Sequence, residues 1–197
     1  MARDVAAFEA RAHNFDDGWL GRLHHEIADR AVTLALAAAP TPRRVLDVGC
    51  GTGYLLRTLA GKLPHAEYLA GIDPAPAMVE AATTAANDGR LRFSTGAAEQ
   101  LPYLDDHFDL VVTTTSFDHW SNQLEGLREC RRVLQRGGQL VLVDQFSLWL
   151  LPTLVGGRHE KARTKERGEQ LLHAAGFAQL VWHDLYAMLI KAVTATA

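Results

Sequence analysis

One short segment constrains the fold of this chain more than any other. The apolar run Val45–Val48 has the composition of a buried strand, and it leads directly into Gly49, Gly51 and Gly53 at the start of a predicted helix, Thr52–Gly61. Glycine permits the sharp backbone turn that such a junction needs, and without a Cβ it lets a ligand approach the main chain. The first N–H groups of a helix have no partner within it. The segment therefore predicts an α/β unit with a ligand site at the turn.

Two acidic residues accompany this glycine turn. Asp47 lies inside the strand that precedes it, and Asp73 follows the next apolar run, Tyr68–Ile72. Open α/β sheets bind nucleosides in the crevice at the carboxyl ends of adjacent parallel strands. A carboxylate at Asp73 can accept hydrogen bonds from both hydroxyls of a ribose there. The combination favours a nucleoside site over a turn of purely structural origin.

Apolar runs and helical stretches alternate along the middle of the chain. The runs with the character of buried strands are Val45–Val48, Tyr68–Ile72, Leu110–Thr113 and Leu140–Val143. The helical stretches between them are Thr52–Gly61, Ala75–Asn87 and Ser121–Leu134. This alternation predicts a parallel sheet with helices on both faces.

The C-terminal part departs from this alternation. Two strand-like runs, around Leu180–His183 and Tyr186–Val193, follow each other with only Asp184 and Leu185 between them. No crossover helix fits into so short a connection. The two runs are therefore expected to pair antiparallel.

The N-terminal residues are predicted to form a helical cap. A helix with Asp16 as its N-cap places apolar residues on one face at helical spacing, and Pro40 and Pro42 end it. The residues of that face are Trp19, Leu20, Leu23, Ile27, Ala31 and Leu34. Phe15 and Trp19 are expected to form walls of a ligand pocket.

Charge and cysteine usage exclude several classes of function. The net charge of −3 opposes a dedicated nucleic-acid binder, which usually carries a strongly basic domain. Cys50 and Cys130 have no metal-ligand spacing, and His24 and His25 lack a third ligand, so no metal site is expected. Neither a signal peptide nor a membrane-spanning stretch is recognisable. The expected protein is soluble and cytoplasmic.

Four motifs occur in the order and spacing of a known family. They are DVGCGTG, GIDPAPAMVEAA, GAAEQLPYLDDHFDLVV and RVLQRGGQLVLVD. The chain resembles the class I S-adenosylmethionine-dependent methyltransferases, and among them the small-molecule branch that includes the ubiquinone/menaquinone-type enzymes. The resemblance covers about residues 43–145. It implies a Rossmann-like, seven-stranded, mostly parallel sheet with an antiparallel last strand, and S-adenosylmethionine as the cofactor.

The resemblance also implies roles for residues at matching positions. Asp47 and the three glycines of the turn would surround the methionine part of the cofactor, Asp73 would hold the ribose, and Met78 would pack against the adenine. The segment Thr113–Ser116 would line the methionine end and the transfer site. The expected cofactor-binding residues are Asp47, Gly49, Gly51, Gly53, Asp73, Met78, Ala97, Ala98, Glu99 and Thr114.

The segment Gly96–Glu99 would border the edge of the adenine. Many family members carry an acid at the place of Ala97, and this chain does not. A backbone contact from Ala98 is therefore expected in place of a side-chain bond, with Glu99 as a weaker candidate.

A single domain accounts for the 197 residues, which contain no repeat, low-complexity tract or flexible linker. Residues 1–40 would be the helical cap and residues 43–145 the cofactor-binding core. Residues 146–197 would hold a lid, the last helix and the final strands. The lid is the connector Phe146–Val155, which is more apolar than an exposed loop usually is.

The main competing reading of the glycine turn is dinucleotide binding. That fingerprint requires Gly-x-Gly-x-x-Gly, which would place its third glycine at position 54, where this chain has Tyr54. The third glycine comes one residue early, at Gly53. A phosphate-binding Walker loop is excluded because no Gly-Lys-Ser/Thr follows the glycines.

The expected activity is methyl transfer to a small, apolar organic acceptor. His119 is the candidate general base, since it follows the fourth strand and an imidazole titrates near neutral pH. A different reading is a non-methylating member of the fold that binds the cofactor as a sensor or scaffold. The sequence leaves open the identity of the acceptor, the atom that is methylated and the oligomeric state.

Overall fold

The computed structural model describes residues 2–146, 164–186 and 190–197 and arranges their strands in one sheet. The strands are β1 (Arg44–Val48), β2 (Tyr68–Asp73), β3 (Leu91–Thr95), β4 (Phe108–Thr114), β5 (Leu134–Gln145), β6 (Ala178–Tyr186) and β7 (Ile190–Thr196). The helices are α1 (Ala2–Arg11), α2 (Gly18–Ala38), α3 (Tyr54–Lys62), α4 (Pro76–Thr84), α5 (Gln123–Val133) and α6 (Lys165–Ala174). No helix among these residues is long and apolar enough to cross a membrane.

The sheet has the strand order β3-β2-β1-β4-β5-β7-β6. Strands β1 to β5 pair in parallel, and β7 runs antiparallel to both β5 and β6. This arrangement confirms the predicted seven-stranded, mostly parallel fold with an antiparallel last strand. The direction in which successive strands are added reverses between β1 and β4. Because these two strands are parallel, their carboxyl ends lie at the same edge of the sheet. A ligand crevice is expected at such a reversal.

Two details of the strand prediction are corrected. The turn between the last two strands does not fall at Asp184 and Leu185, because β6 continues through both: Asp184 pairs with Lys191, and Leu185 is buried. The predicted strands also do not include β3. It is an edge strand in which only Leu91 is fully buried, so it lacks the continuous apolar pattern of a central strand.

The sheet separates two hydrophobic layers. Along β1, Leu46 and Val48 pack into the layer that contains α5 and α6, and Val45 packs into the layer that contains α2 and α3. Side chains alternate between the faces of a strand, so a strand covered on both sides must be apolar throughout. Asp47 is the exception in β1, and it is 1% exposed. Burial of a carboxylate at this position calls for a functional explanation.

The N-terminal segment folds as α1, a short 3-10 helix (Ala12–Asn14) and α2. In α2, Ile27 and Ala31 are buried as predicted. Trp19 is 70% exposed, so the prediction that it forms a wall of the ligand pocket is wrong. The prediction of Asp16 as N-cap is also wrong, since Asp17 precedes the first turn and makes no capping bond. Asp16 instead accepts hydrogen bonds from Thr52 Oγ1 at 3.0 Å and His25 Nε2 at 2.9 Å. It ties the α1–α2 connection to the start of α3.

Phe146, the first residue of the predicted lid, belongs to the hydrophobic core and is not part of a lid. Phe146 is 3% exposed and packs in the core between Phe117 and Trp182, with ring centroids 6.2 and 5.0 Å away. The rest of the connector, including Trp149, lies outside the described residues.

We predict opposite effects on stability for two helical glycines. Helix propensity alone favours alanine at both Gly21 in α2 and Gly61 in α3 by about 0.5–1 kcal/mol. A Cβ at Gly61 would meet no atom of the described residues within 4 Å, whereas one at Gly21 would lie 2.2 Å from the backbone carbonyl of Asp16. In urea denaturation, Gly61→Ala should raise the free energy of unfolding by that amount and Gly21→Ala should lower it by about 1–3 kcal/mol. Equal stability of the two variants would contradict the placement of Asp16.

Candidate active site

A cleft that is partly open to solvent lies at the carboxyl ends of β1, β2 and β4. Most of the predicted site residues line it, which brings together segments that are far apart in the sequence. Those residues are Asp47, Gly49, Gly51, Asp73, Met78, Ala97, Ala98, Glu99, Thr114 and His119. Gly53 is the one predicted cofactor residue that is not in the lining.

Backbone hydrogen bonds hold the glycine turn against the neighbouring strand. The N–H groups of Gly49 and Cys50 both donate to the carbonyl of Ile72, at 2.8 and 3.1 Å. Gly49 has φ +78°, and a Cβ there would lie 2.3 Å from Ser116 Oγ. Glycine is thus required both by the backbone conformation and by the close approach of the loop after β4.

Gly53 serves packing at the back of the turn. It precedes α3 with φ +76°, and a Cβ added to it would lie 2.7 Å from the ring of Phe93 and 3.1 Å from Ala82. Sequence spacing predicts a glycine here but does not show which neighbour requires it. In the structure these neighbours are Phe93 of β3 and Ala82 of α4. Because Gly53 is not in the cleft lining, the predicted contact between Gly53 and the cofactor has no support there.

Asp73 orients the turn from the end of β2. Its Oδ2 accepts the N–H of Gly51 and its Oδ1 accepts the N–H of Ala75, both at 2.9 Å. Burial raises the pKa of Asp73, and the two N–H donors oppose that shift. Each carboxylate oxygen has a second acceptor site, so Asp73 can hold the turn and still bind ligand hydroxyls.

Asp47 lacks the partners that Asp73 has. Its Oδ1 is buried with no hydrogen-bond partner among the described residues. Burial, and then the charge of Asp73, raises the pKa of Asp47 to about 8. Two buried carboxyl groups beside an open cleft favour a ligand that brings positive charge. The ammonium of a methionine moiety has the required charge and donors, so these residues fit the cofactor that the sequence implies.

The loop after β4 connects the transfer side of the cleft to β1. Ser116 Oγ donates to the carbonyl of Val48 at 2.9 Å and accepts from Trp120 Nε1 at 3.3 Å. Thr114, Thr115 and Ser116 line the cleft, as predicted. Thr113 does not, since it is fully buried and its hydroxyl bonds to Ser116.

The segment expected at the adenine edge is held from two sides. The N–H of Gly96 donates to the carbonyl of Asp73 at 3.0 Å, and Glu99 Oε1 accepts the N–H of Asn122 at 2.9 Å. Glu99 thereby fixes the segment to the start of α5. Met78 is 1% exposed, packs with Ala75 and also belongs to the cleft lining.

Aromatic residues from the N-terminal segment complete the cleft. Phe15 lines it as predicted, and Val5 and Phe8 of α1 join it, which sequence analysis did not foresee. Phe8 meets the ring of His119 edge-on, with centroids 5.1 Å apart. The signal for this face was the spacing of Val5, Phe8 and Ala12, which fits one side of a helix.

We predict that Asp47 makes stability depend on pH. The pKa of Asp47 is about 8 when folded and about 4 when unfolded, so the unfolded chain loses this proton first as pH rises. Stability should therefore fall between these pH values, by at most about 1.4 kcal/mol per pH unit. Because asparagine does not titrate, the stability gained by Asp47→Asn in urea should grow from pH 5 to pH 8.

Asp144 provides a matched control for this measurement. It is also buried, but backbone N–H groups of Asp118 and Gln145 donate to it, and its pKa is raised only to about 6. The pH-dependent part of the Asp144→Asn effect should level off near pH 6. A pH-independent effect of Asp47→Asn would show that its carboxyl is not buried without a partner.

Sequence comparison relates the chain to known proteins. Residues 46–142 match the methyltransferase domain family. Demethylmenaquinone methyltransferase from Thermotoga maritima is 40% identical over 115 residues, which are 58% of this chain and 48% of that protein. Malonyl-[acyl-carrier protein] O-methyltransferase from Methylococcus capsulatus is 31% identical over 188 residues, 88% of this chain and 65% of that protein. The chain spans about half the length of several curated relatives that it matches.

Structural comparison agrees with the sequence comparison. A chain in the solved complex between the Haloferax volcanii Trm112 methyltransferase activator and a methyltransferase superposes with a TM-score of 0.82. The match covers 96% of this chain and 97% of that chain at 20% identity, so it supports the fold alone. The family match, the relatives and the strand order lead to one assignment. Residues 46–142 belong to the methyltransferase domain family, and the described residues have the fold of the class I S-adenosylmethionine-dependent methyltransferases.

Proposed function

We propose that this chain binds S-adenosylmethionine in the cleft and transfers its methyl group to a small organic acceptor with an apolar body. The observation that carries the proposal is the pair of buried carboxyl groups, Asp47 and Asp73, on either side of the glycine turn. One has an unsatisfied oxygen that suits an ammonium group, and the other lies at the strand end where a ribose is expected. This pairing matches the two ends of S-adenosylmethionine, which carries an ammonium group at one end and a ribose with its adenine at the other.

The chain's own residues would bind, orient and exclude water. Asp47 and the N–H groups of the turn would hold the methionine end, Asp73 the ribose, and Met78 with Ala98 the adenine. Thr114 would border the transfer site. Bound S-adenosylmethionine would supply a methyl group already activated on a sulfonium centre. Alignment of an acceptor with that group accounts for much of the rate enhancement in such transfers.

The nature of the acceptor is inferred from the walls of the cleft. Val5, Phe8, Phe15 and Trp120 present apolar surface there, and the polar side chains on that side include His24 and His119. The names of the relatives give demethylmenaquinone as the acceptor in one case and malonyl-[acyl-carrier protein] in the other. Apolar walls support an acceptor with an apolar body that enters the cleft from the N-terminal side.

We predict that cofactor binding depends on Asp73. Calorimetry should show micromolar binding of S-adenosylmethionine and S-adenosylhomocysteine and no binding of NADH. Asp73→Asn should weaken S-adenosylhomocysteine by about 1–3 kcal/mol, because buried ribose hydroxyls lose a charged acceptor. Stability should fall as well, since Asp73 also holds Gly51 and Ala75. Asp88→Asn removes an acid bonded to Arg90 outside the cleft and should leave the dissociation constant unchanged.

Two outcomes of these experiments would contradict the proposal. Binding of NADH without S-adenosylmethionine would refute the cofactor, and an unchanged affinity in Asp73→Asn would refute the ribose assignment. Cofactor binding without formation of S-adenosylhomocysteine from any acceptor would favour a sensor or scaffold over an enzyme.

We predict that His119 acts on the acceptor. The structure places it at the end of a short 3-10 helix (Phe117–His119), in the cleft lining and against Phe8. If it removes a hydroxyl proton, His119→Ala should lower turnover about 10²–10⁴-fold and leave cofactor affinity nearly unchanged. The wild-type rate should decrease at acid pH, because a protonated imidazole cannot accept the proton.

The exposed His65, outside the cleft, is the matched control. His65→Ala should keep both turnover and its pH profile. A folded His119→Ala protein with wild-type turnover would show that His119 only shapes the loop after β4.

A further inference from the structure

A second histidine in the cleft has no role in the proposal so far. His24 belongs to α2 and lines the cleft from the N-terminal side. Its Nδ1 is buried and has no hydrogen-bond partner among the described residues. Buried polar atoms in folded proteins are nearly always paired, so an unpaired one in a ligand cleft indicates a bond that a ligand supplies.

Aromatic rings fix the position of His24. Its ring stacks on Phe15 with centroids 4.8 Å apart and planes inclined by 15°. Phe8 follows, 6.3 Å from Phe15, and meets His119 at 5.1 Å. The four rings form a continuous wall with one imidazole at each end. Both imidazoles belong to the lining of the same cleft, so a flat ligand along this wall would have an imidazole near each end.

The charges around His24 determine which group it can bind. Burial lowers the pKa of His24, and electrostatic interactions with Arg11 on α1 and with His25 on α2 lower it further. Asp16 in the α1–α2 connection is the opposing charge. A lowered pKa favours the neutral imidazole, and with the proton on Nε2 the Nδ1 of His24 is a hydrogen-bond acceptor. A neutral imidazole among apolar rings suits an uncharged hydroxyl and gives little support to a carboxylate.

We propose that His24 binds a hydroxyl group of the methyl acceptor and thereby selects uncharged, hydroxyl-bearing acceptors with a flat apolar body. The inference rests on the proposed function, because it assumes that the cofactor fills the part of the cleft around Asp47 and Asp73. His24 is a binding residue that accepts a hydrogen bond and orients the acceptor against Phe8 and Phe15. Proton removal remains assigned to His119.

Two probes that differ in one hydrogen-bond donor test this role. 1-Naphthol can donate a hydrogen bond to His24, and 1-methoxynaphthalene cannot. Their dissociation constants are measured by equilibrium dialysis at pH 7 with the full chain saturated with S-adenosylhomocysteine. We expect the wild-type protein to bind 1-naphthol roughly five- to tenfold more tightly, as one buried hydrogen bond predicts.

Two variants separate the hydrogen bond from the stacking. Both variants are measured in the His119→Ala background, which removes the other imidazole of the wall. His24→Phe keeps a ring against Phe15 but has no acceptor, so it should bind both probes equally. His24→Asn carries an oxygen close to the position of Nδ1 and should keep a preference for 1-naphthol. Circular dichroism and S-adenosylhomocysteine affinity confirm that each variant is folded and loaded.

Three results would overturn the proposal. One is a preference for 1-naphthol that survives in His24→Phe, and another is absence of binding of both probes to the loaded wild-type protein. The third is a large loss of S-adenosylhomocysteine affinity in both variants, which would assign His24 to the cofactor. Failure of the wild-type protein to bind S-adenosylhomocysteine at all would refute the proposed function itself, so the two failures are distinguishable.

Discussion

The three N–H groups that the glycine turn directs towards the end of β2 hold the site together. Gly49 and Cys50 donate to the carbonyl of Ile72, and Gly51 donates to the carboxylate of Asp73. These bonds fix the turn relative to β2, and the parallel pairing of β1 with β2 and β4 fixes it relative to the loop that carries Ser116. A ligand that rests on the turn therefore meets groups from three strands in a constant arrangement.

The central sheet was predictable because its strands are buried on both faces and stand out as apolar runs. Edge strand β3 and the end of β6 were not, since partial exposure gives them mixed composition. Glycine spacing identified the turn, but only tertiary contacts show that Gly49 makes room for Ser116 whereas Gly53 makes room for Phe93.

On the N-terminal side of the cleft, too, local sequence patterns predict the helix but not the contacts that its residues make with distant parts of the chain. The helical face of α2 followed from apolar spacing, yet Asp16 is engaged by Thr52 and His25 rather than by its own helix, and Trp19 at the first turn points into solvent. Capping preference is a local property, and a partner distant in sequence overrides it here. The wall residues of α1 carried a weak signal, because a short helix with few apolar residues resembles an exposed one.

The bond between Asp16 and Thr52 bears on the order of events during turnover. Asp16 directly follows wall residue Phe15, and Thr52 lies between the glycines of the turn. This hydrogen bond thus connects the aromatic wall to the glycine turn, where the cofactor is proposed to bind. Phe15 also lies close to Gly51. A cofactor bound on the turn as proposed would lie beneath the Asp16–Thr52 bond, and the proposed acceptor would lie along the outer wall. We expect the cofactor to enter first and its spent form to leave last, with the methylated product released in between.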